Sequence, residues 1–380
     1  MRELDDTYLT SDPYGYFVSR AAMLHGWARQ DAPDDAIGDG TFGGRPDLAG
    51  LISAIMRDTD TEDVPPTRVV SSQVALDAFA LRHHVAEALV RLFVTVAHRD
   101  IDGATEPRSL WVAATDDDLQ SIGSLLDAAF DVNDKVSDDF LARMVLPVNF
   151  VVDEESHPAA AAFVRMCAEW IEHAVRLLAP AEFNLTTAHN KIKHGLVVRA
   201  RSDLRTSLSL IEMSDNGDLP LSTVRGDKFA DLTKLPVIEV LARPRLKGRS
   251  RKERQGLEVT QIELDYRAIL AEVIVLAHVY AAIFHHAAIV HFADHATPRD
   301  VSIAPHPGMV GEVPPVGFTG PPVGIRVSVT TPDDGGAARP SMFALPDGTL
   351  VPFTITGPRR RGRIVDDTPE RDDSGDAQTT

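Results

Sequence analysis

Cysteine is nearly absent: Cys167 is the only one in 380 residues. No intrachain disulfide can form, and its place between Met166 and Ala168 in an apolar stretch reads as a buried thiol in a reducing compartment. The start, Met1-Arg2-Glu3-Leu4-Asp5-Asp6, lacks the basic-then-apolar pattern of a secretory signal, so a soluble cytoplasmic protein is expected. Long uninterrupted apolar runs are missing too. The most apolar stretch, Ala268 to Phe292, carries His278, His285, His286 and His291, imidazoles that lipid would not tolerate, so it reads as a core helix and no membrane partner is expected. The glycine-rich segment Gly38 to Gly44 lacks the lysine of a phosphate loop, no nucleophile elbow occurs, and no internal repeat is evident.

What remains is a chain of 44% hydrophobic residues with a net charge of -18. The first is ample for a sizeable core, and the second repels nucleic acid and anionic membranes on average. One local exception runs from Arg243 to Arg254, where seven cations, Arg249, Arg251 and Lys252 among them, face a single anion. Its simplest reading is a solvated hairpin loop. Together with Lys191, Lys193, Arg199, Arg201 and Arg205 it also offers one positive face, for which RNA is the natural partner.

The apolar spacing predicts a mainly α, α+β fold: a helical bundle with a β-rich insertion and a small β C-terminal segment. Helices are expected at Tyr16 to Gln30, from a cap at Asp47 through Arg57, from Ser71 or Ser72 to about His98, Thr115 to Phe130, Ser137 to Met144, Pro158 to Leu178, Ala181 to His194 and Tyr266 to Asp294. Strands are expected at 196–198, 207–213, 237–241, 257–264 and 324–330, with a turn over Leu345 to Thr349. The resulting division is a bundle at 1–195, a β-rich insertion at 196–265, a central helix at 266–297, a Pro/Gly-rich β segment at 298–356 and a disordered acidic tail at 357–380.

On the third helix, His84, Glu87, Arg91, Thr95 and His98 share one face, opposite Val85, Leu89, Leu92, Phe93 and Val96. The bland reading is a wet face with an ordinary Glu87–Arg91 pair. The sharper one is a binding or catalytic stripe, because two imidazoles and a guanidinium can move protons and hold a phosphate near neutral pH. A second cluster, Ala188-His189-Asn190-Lys191-Ile192-Lys193-His194-Gly195, puts an amide, cations and imidazole at a helix end, where cations also simply complement the helix dipole. His291 and His295 are four apart but lack the glutamate of a zinc-protease motif and an evident third ligand, so no metal is expected, and no cofactor is implied. Asp116-Asp117-Asp118 reads as helix N-terminal charge. With Asn133 to Ser137 it fails as a terpene-cyclase metal site, since Leu141 stands where the last carboxylate would be and aromatics make up only 6% of the chain.

Arg91…His98 and Asn190-Lys191-Ile192-Lys193-His194 resemble the arginine-to-histidine motif of HEPN-type helical bundles. Leu92 replaces the usual polar neighbour of the arginine, and the second segment lacks the arginine. The resemblance implies a bundle that dimerises to juxtapose two motifs, with metal-independent RNA cleavage as one activity of the family. Arg91 would then be the phosphate clamp and His98 or His194 the base, with His84, Glu87, Asn190 and Lys193 as binding residues. The competing expectation, placed first, is a non-enzymatic protein that binds a protein partner or a second copy of itself.

Overall fold

The computed structural model describes residues 2–28, 68–102, 109–114, 122–133, 136–148, 150–151, 153–179, 183, 185–193, 198–201, 207–209, 219–220, 229–231, 235–243, 256–293, 301–311, 313–315, 322–329, 340–353 and 364–365. The expected helix over Asp47 to Arg57, the Asp116 to Asp118 cluster, His194, Gly195, His295, the basic residues Arg249, Arg251 and Lys252, and the expected disordered tail at 357–380 lie outside them, with one exception. Within that tail Ile364–Val365 form a short strand paired with Leu219–Pro220, a contact with a distant segment that the tail's own sequence does not encode.

The described helices are α1 (Arg2–Leu9), α2 (Pro13–Ala28), α3 (Arg68–Asp102), α4 (Leu110–Ala114), α5 (Ile122–Asn133), α6 (Asp138–Val145), α7 (His157–Leu178), α8 (Leu185–Lys193) and α9 (Tyr266–Ala293). Mainly helical α+β architecture is thus shown. Several ends follow from local chemistry. Ser137 Oγ accepts the Phe140 N–H at 3.2 Å at the start of α6, Pro158 occupies the first turn of α7, and Asp265 Oδ1 accepts the N–H groups of Arg267 and Ala268 at the start of α9, each satisfying donors that a helix leaves open.

Helices α1 and α4 were not expected, and tertiary contact explains both. Asp5 of α1 is buried, where its carboxylate accepts the Ser109 hydroxyl at 2.5 Å and the N–H groups of Leu110 and Trp111 at 3.0 and 3.1 Å. A residue more than a hundred positions away therefore caps the five-residue α4. Such a cap leaves no local mark.

Helices α3 and α9 pack against each other along the middle of the bundle, and α2, α7 and α8 surround α3. By length and composition α9 could cross a membrane, yet 78% of its most apolar window is buried inside the fold. Its apolar character on every side is that of a helix packed on all sides.

The strands are β1 (Val198–Arg201), β2 (Ser207–Ser209), β3 (Leu219–Pro220), β4 (Phe229–Asp231), β5 (Val237–Ala242), β6 (Glu258–Glu263), β7 (Gly324–Ser328), β8 (Ser341–Ala344), β9 (Leu350–Phe353) and β10 (Ile364–Val365). Six of them form one sheet in the order β1-β5-β6-β7-β8-β9, antiparallel at every pair. The β-rich stretch before α9 and the one after it are therefore halves of a single sheet. Gly324 is needed at the junction: a Cβ there would come 2.0 Å from the Gln261 carbonyl oxygen. The β8–β9 hairpin turns at Gly348, whose φ of +84° suits glycine. Ile238, Val240, Ile262 and Ala344 join the helices in one core.

Between α9 and β7 the described residues 301–311 and 313–315 run without regular structure along the bundle. They are fastened through their carbonyls: His278 Nε2 meets Gly308 O at 3.0 Å, His285 Nδ1 meets Ala304 O at 2.9 Å, and Trp170 Nε1 donates to Val313 O at 2.6 Å. His306 Nε2 in turn meets Val145 O at 2.8 Å. His278 and His285 thus have packing partners, and His291 pairs with Asp6 at 2.8 Å.

Candidate functional site: a charged cavity between three helices

A helix face that is neither fully apolar nor fully wet leaves room for a cleft, and α3 has such a face. Asp77, Ala80, Leu81, His84, Glu87, Ala88 and Arg91 line one side of a cavity of 410 Å³. Their spacing of three and four residues is that of one helical face. From α8 come His189, Ile192 and Lys193, again three and four apart, and from α2 comes Arg20. Leu81 and His189 are buried, whereas Arg20, His84 and Lys193 are exposed at its rim.

Glu87 organises the charges. Arg91 donates from Nε and Nη2 to Glu87 Oε1 at 3.1 and 2.8 Å, and Lys193 Nζ lies 3.9 Å from Glu87 Oε2. Burial would raise the Glu87 pKa, but the Arg91 hydrogen bonds and the charges of Lys193 and Arg91 outweigh it and hold the carboxyl below its usual value. Arg91 also reaches the Ala114 carbonyl at 3.5 Å, tying α3 to the end of α4. Arg20 folds back on its own helix, donating to the Tyr16 hydroxyl at 3.0 Å.

The imidazoles are kept neutral. His189, only 5% exposed, stacks on the wholly buried His83 with ring centroids 5.1 Å apart and an interplanar angle of 16°. His83 Nδ1 lies 2.9 Å from the Phe79 carbonyl, a contact that requires the proton on Nδ1 and leaves Nε2 as a bare acceptor. Among the described residues neither His83 Nε2 nor His189 Nδ1 has a hydrogen-bond partner. Desolvation lowers the His189 pKa to about 4 and, with the charge of Arg82 next, puts His83 well below its ordinary value. At the rim, His84 sets its ring edge-on to Phe17 at 5.6 Å. Partial withdrawal from water is the main cause that lowers its pKa.

Of the residues singled out in the sequence, the cavity gathers His84, Glu87, Arg91 and Lys193. The Glu87–Arg91 pair forms as the helical spacing requires. His98 is not among the lining residues of the cavity. Asn190 is exposed on α8, away from the lining. Thr95, expected on the polar face, is buried instead, its hydroxyl donating to the Arg91 carbonyl at 2.8 Å. That local bond removes the cost of burying it. His189, Arg20 and Asp77 were missed. A histidine within the Ala188 to Gly195 helix end was a readable signal for the first, but nothing local marked the other two. Among the described residues no group of three His, Cys, Asp or Glu side chains is placed to hold a metal ion.

Fold and site together define a class: a mainly helical α+β protein with a charged cavity on one face of its bundle. The chain matches no protein-family model, no curated protein and no solved structure.

Proposed function

We propose that this is a binding protein that holds its ligand without transforming it, with the cavity between α2, α3 and α8 as the binding site. The observation that carries this reading is the gathering of Arg20, Arg91, Lys193, Asp77, Glu87, His84 and His189, from three separate helices, around one cavity of 410 Å³. That volume lies in the range of small-molecule sites. A general base works best with a pKa near the operating pH, and His189 at about 4 is far from it. Arg91 is already engaged by Glu87 and Ala114. Both features favour holding over chemistry.

The test is a thermal-shift panel of anionic small molecules on the intact chain and on Ala88→Phe, a substitution that fills the cavity from its α3 wall. Ligands should raise the melting temperature of the wild type and lose that effect in the variant. If every stabilising ligand acts equally on both proteins, the reading fails.

A second reading follows from one observation, that Arg91 shares the cavity with His84 and His189. A guanidinium and a neutral imidazole facing one cavity are the minimum for metal-independent RNA cleavage, the imidazole taking the 2′-hydroxyl proton and the cation stabilising the phosphate. On this reading His84 takes over the base role expected of His98 or His194, and the basic run Arg243 to Arg254 supplies phosphate contacts. RNA cleavage in the presence of a chelator, lost in Arg91→Ala and in His84→Ala, supports it. Binding indifferent to salt would remove the RNA partner.

A further inference from the structure

The lining of the cavity is sorted by depth, and its charges nearly cancel. Leu81 is buried, and Ala80, Ala88 and Ile192 are partly buried, so the lining offers apolar surface away from the exposed rim. Arg20 and Lys193 are exposed at the rim, Lys193 with 56% of its side chain accessible. Protonating His189 would place a charge against the desolvated ring of His83, so the stack stays uncharged at neutral pH. The fixed charges are then the cations Arg20, Arg91 and Lys193 against the carboxylates Asp77 and Glu87, a surplus of one positive charge. A polyanion filling the cavity would lie against both Asp77 and Glu87, whereas a single head group at the exposed Lys193 and Arg20 faces two cations and only the Glu87 carboxylate, 3.9 Å from Lys193 and already bound by Arg91. At ~30 Å³ per water molecule the space holds about fourteen waters, enough for a body of organic-ligand size behind such a head.

We infer that the ligand of this cavity is an amphipathic organic anion: an apolar body lodged against Leu81, Ala80, Ala88 and Ile192, and a single carboxylate or phosphate head at the Lys193 and Arg20 rim. This rests on the cavity being the binding site, as proposed above. The apolar body supplies most of the affinity through the area it removes from water, and the head selects for charge and fixes the direction of entry.

The experiment compares four probes by calorimetric titration of the full chain: octyl phosphate, octanol, inorganic phosphate and adenosine triphosphate. Octyl phosphate should bind at least tenfold more tightly than any of the other three. Lys193→Gln, which removes the charge at an exposed position and is checked for native helicity, should weaken it at least tenfold while leaving octanol unchanged. Ala88→Phe, checked for native helicity, should abolish binding of the whole series. If adenosine triphosphate or inorganic phosphate binds more tightly than octyl phosphate and both variants abolish it, the amphipathic class is overturned while the site stands. If neither variant changes the binding of any probe, the cavity is not the site and both readings fall.

Discussion

Glu272 is wholly buried between Ala271 and Val273 on α9, a carboxylate in the most apolar helix of the chain. It persists because α3 supplies a guanidinium that donates to it, with an imidazole of α7 close by. Arg82 Nη1 lies 2.9 Å from Oε2, and His173 Nε2 lies 3.2 Å from Oε1. Removing one member of a buried pair strands the other, which costs ~3–5 kcal/mol, whereas exchanging both for apolar groups of similar size is often neutral. Glu272→Ala should therefore lose about that much stability in denaturant unfolding, and Arg82→Met with Glu272→Leu should recover most of it. A double variant no more stable than the single one would show that the pair contributes something packing cannot replace.

His189 makes a prediction in pH. Its folded-state pKa of about 4 lies below the ~6.5 of an unfolded histidine. Between those values the unfolded chain takes up a proton that the folded chain refuses. The contribution is thus fully present above about pH 6.5 and is lost as pH falls toward 4. At 1.36 kcal/mol per pKa unit the loss between pH 7 and 4.5 is ~2 kcal/mol. In His189→Gln the fall in unfolding free energy over that interval should be smaller by this amount. Parallel pH profiles for the two proteins would contradict the assignment, whatever the absolute stability of the variant.

At the scale of elements, the segment 301–313 shows how a stretch without regular structure is held. Ile303, Met309, Val310 and Val313 pack partly buried against the core, and their neighbours' carbonyls are bound by side chains of α7 and α9. Trp170→Phe keeps an aromatic ring in the same place but removes the N–H that donates to Val313 O. The expected cost is ~1 kcal/mol, with faster proteolytic cleavage within 301–313. Cleavage at the wild-type rate would mean that packing alone holds the segment.

These contacts also mark where the sequence was legible. Helices α6 and α7 were placed within a residue or two because Ser137 and Pro158 act on the turns next to them. Strands β5 and β6 were likewise read from their own alternation. Their union with β7 was not, because the pairing of Glu258 to Ile262 with Ser328 to Gly324 bridges the whole of α9 and depends on contacts that neither strand encodes alone. The cavity divides the same way. Its α3 wall was visible as a stripe through His84, Glu87 and Arg91, since a helix fixes which residues share a face. The approach of Arg20 from α2 and of His189 from α8 is a product of packing, which spacing along one helix does not contain.

For the whole molecule, the decisive fact is that the core does not respect the division into bundle and β segments. Phe79, Leu89, Trp170 and Ile274 of the helices and Ile238, Val240, Ile262 and Ala344 of the sheet belong to one continuous cluster of buried residues. The sheet closes only when strands from both sides of α9 meet, so α9 cannot reach its place in the bundle without setting β6 and β7 side by side. Cooperativity should follow from this. A chain whose buried apolar surface is contiguous has no plane along which one part can expose itself without the other. Helix content followed by far-ultraviolet circular dichroism and the fluorescence of Trp170 in a Trp27→Phe, Trp111→Phe background should therefore change at the same urea concentration. Cutting the chain before residue 298 should remove the cooperative transition instead of leaving a folded bundle, because the inner faces of β5 and β6 and the surface of α9 under 301–313 would lie open to water. Two separated transitions in the full chain, or a cooperatively folding product of the cut, would show that the helices form a core sufficient by themselves.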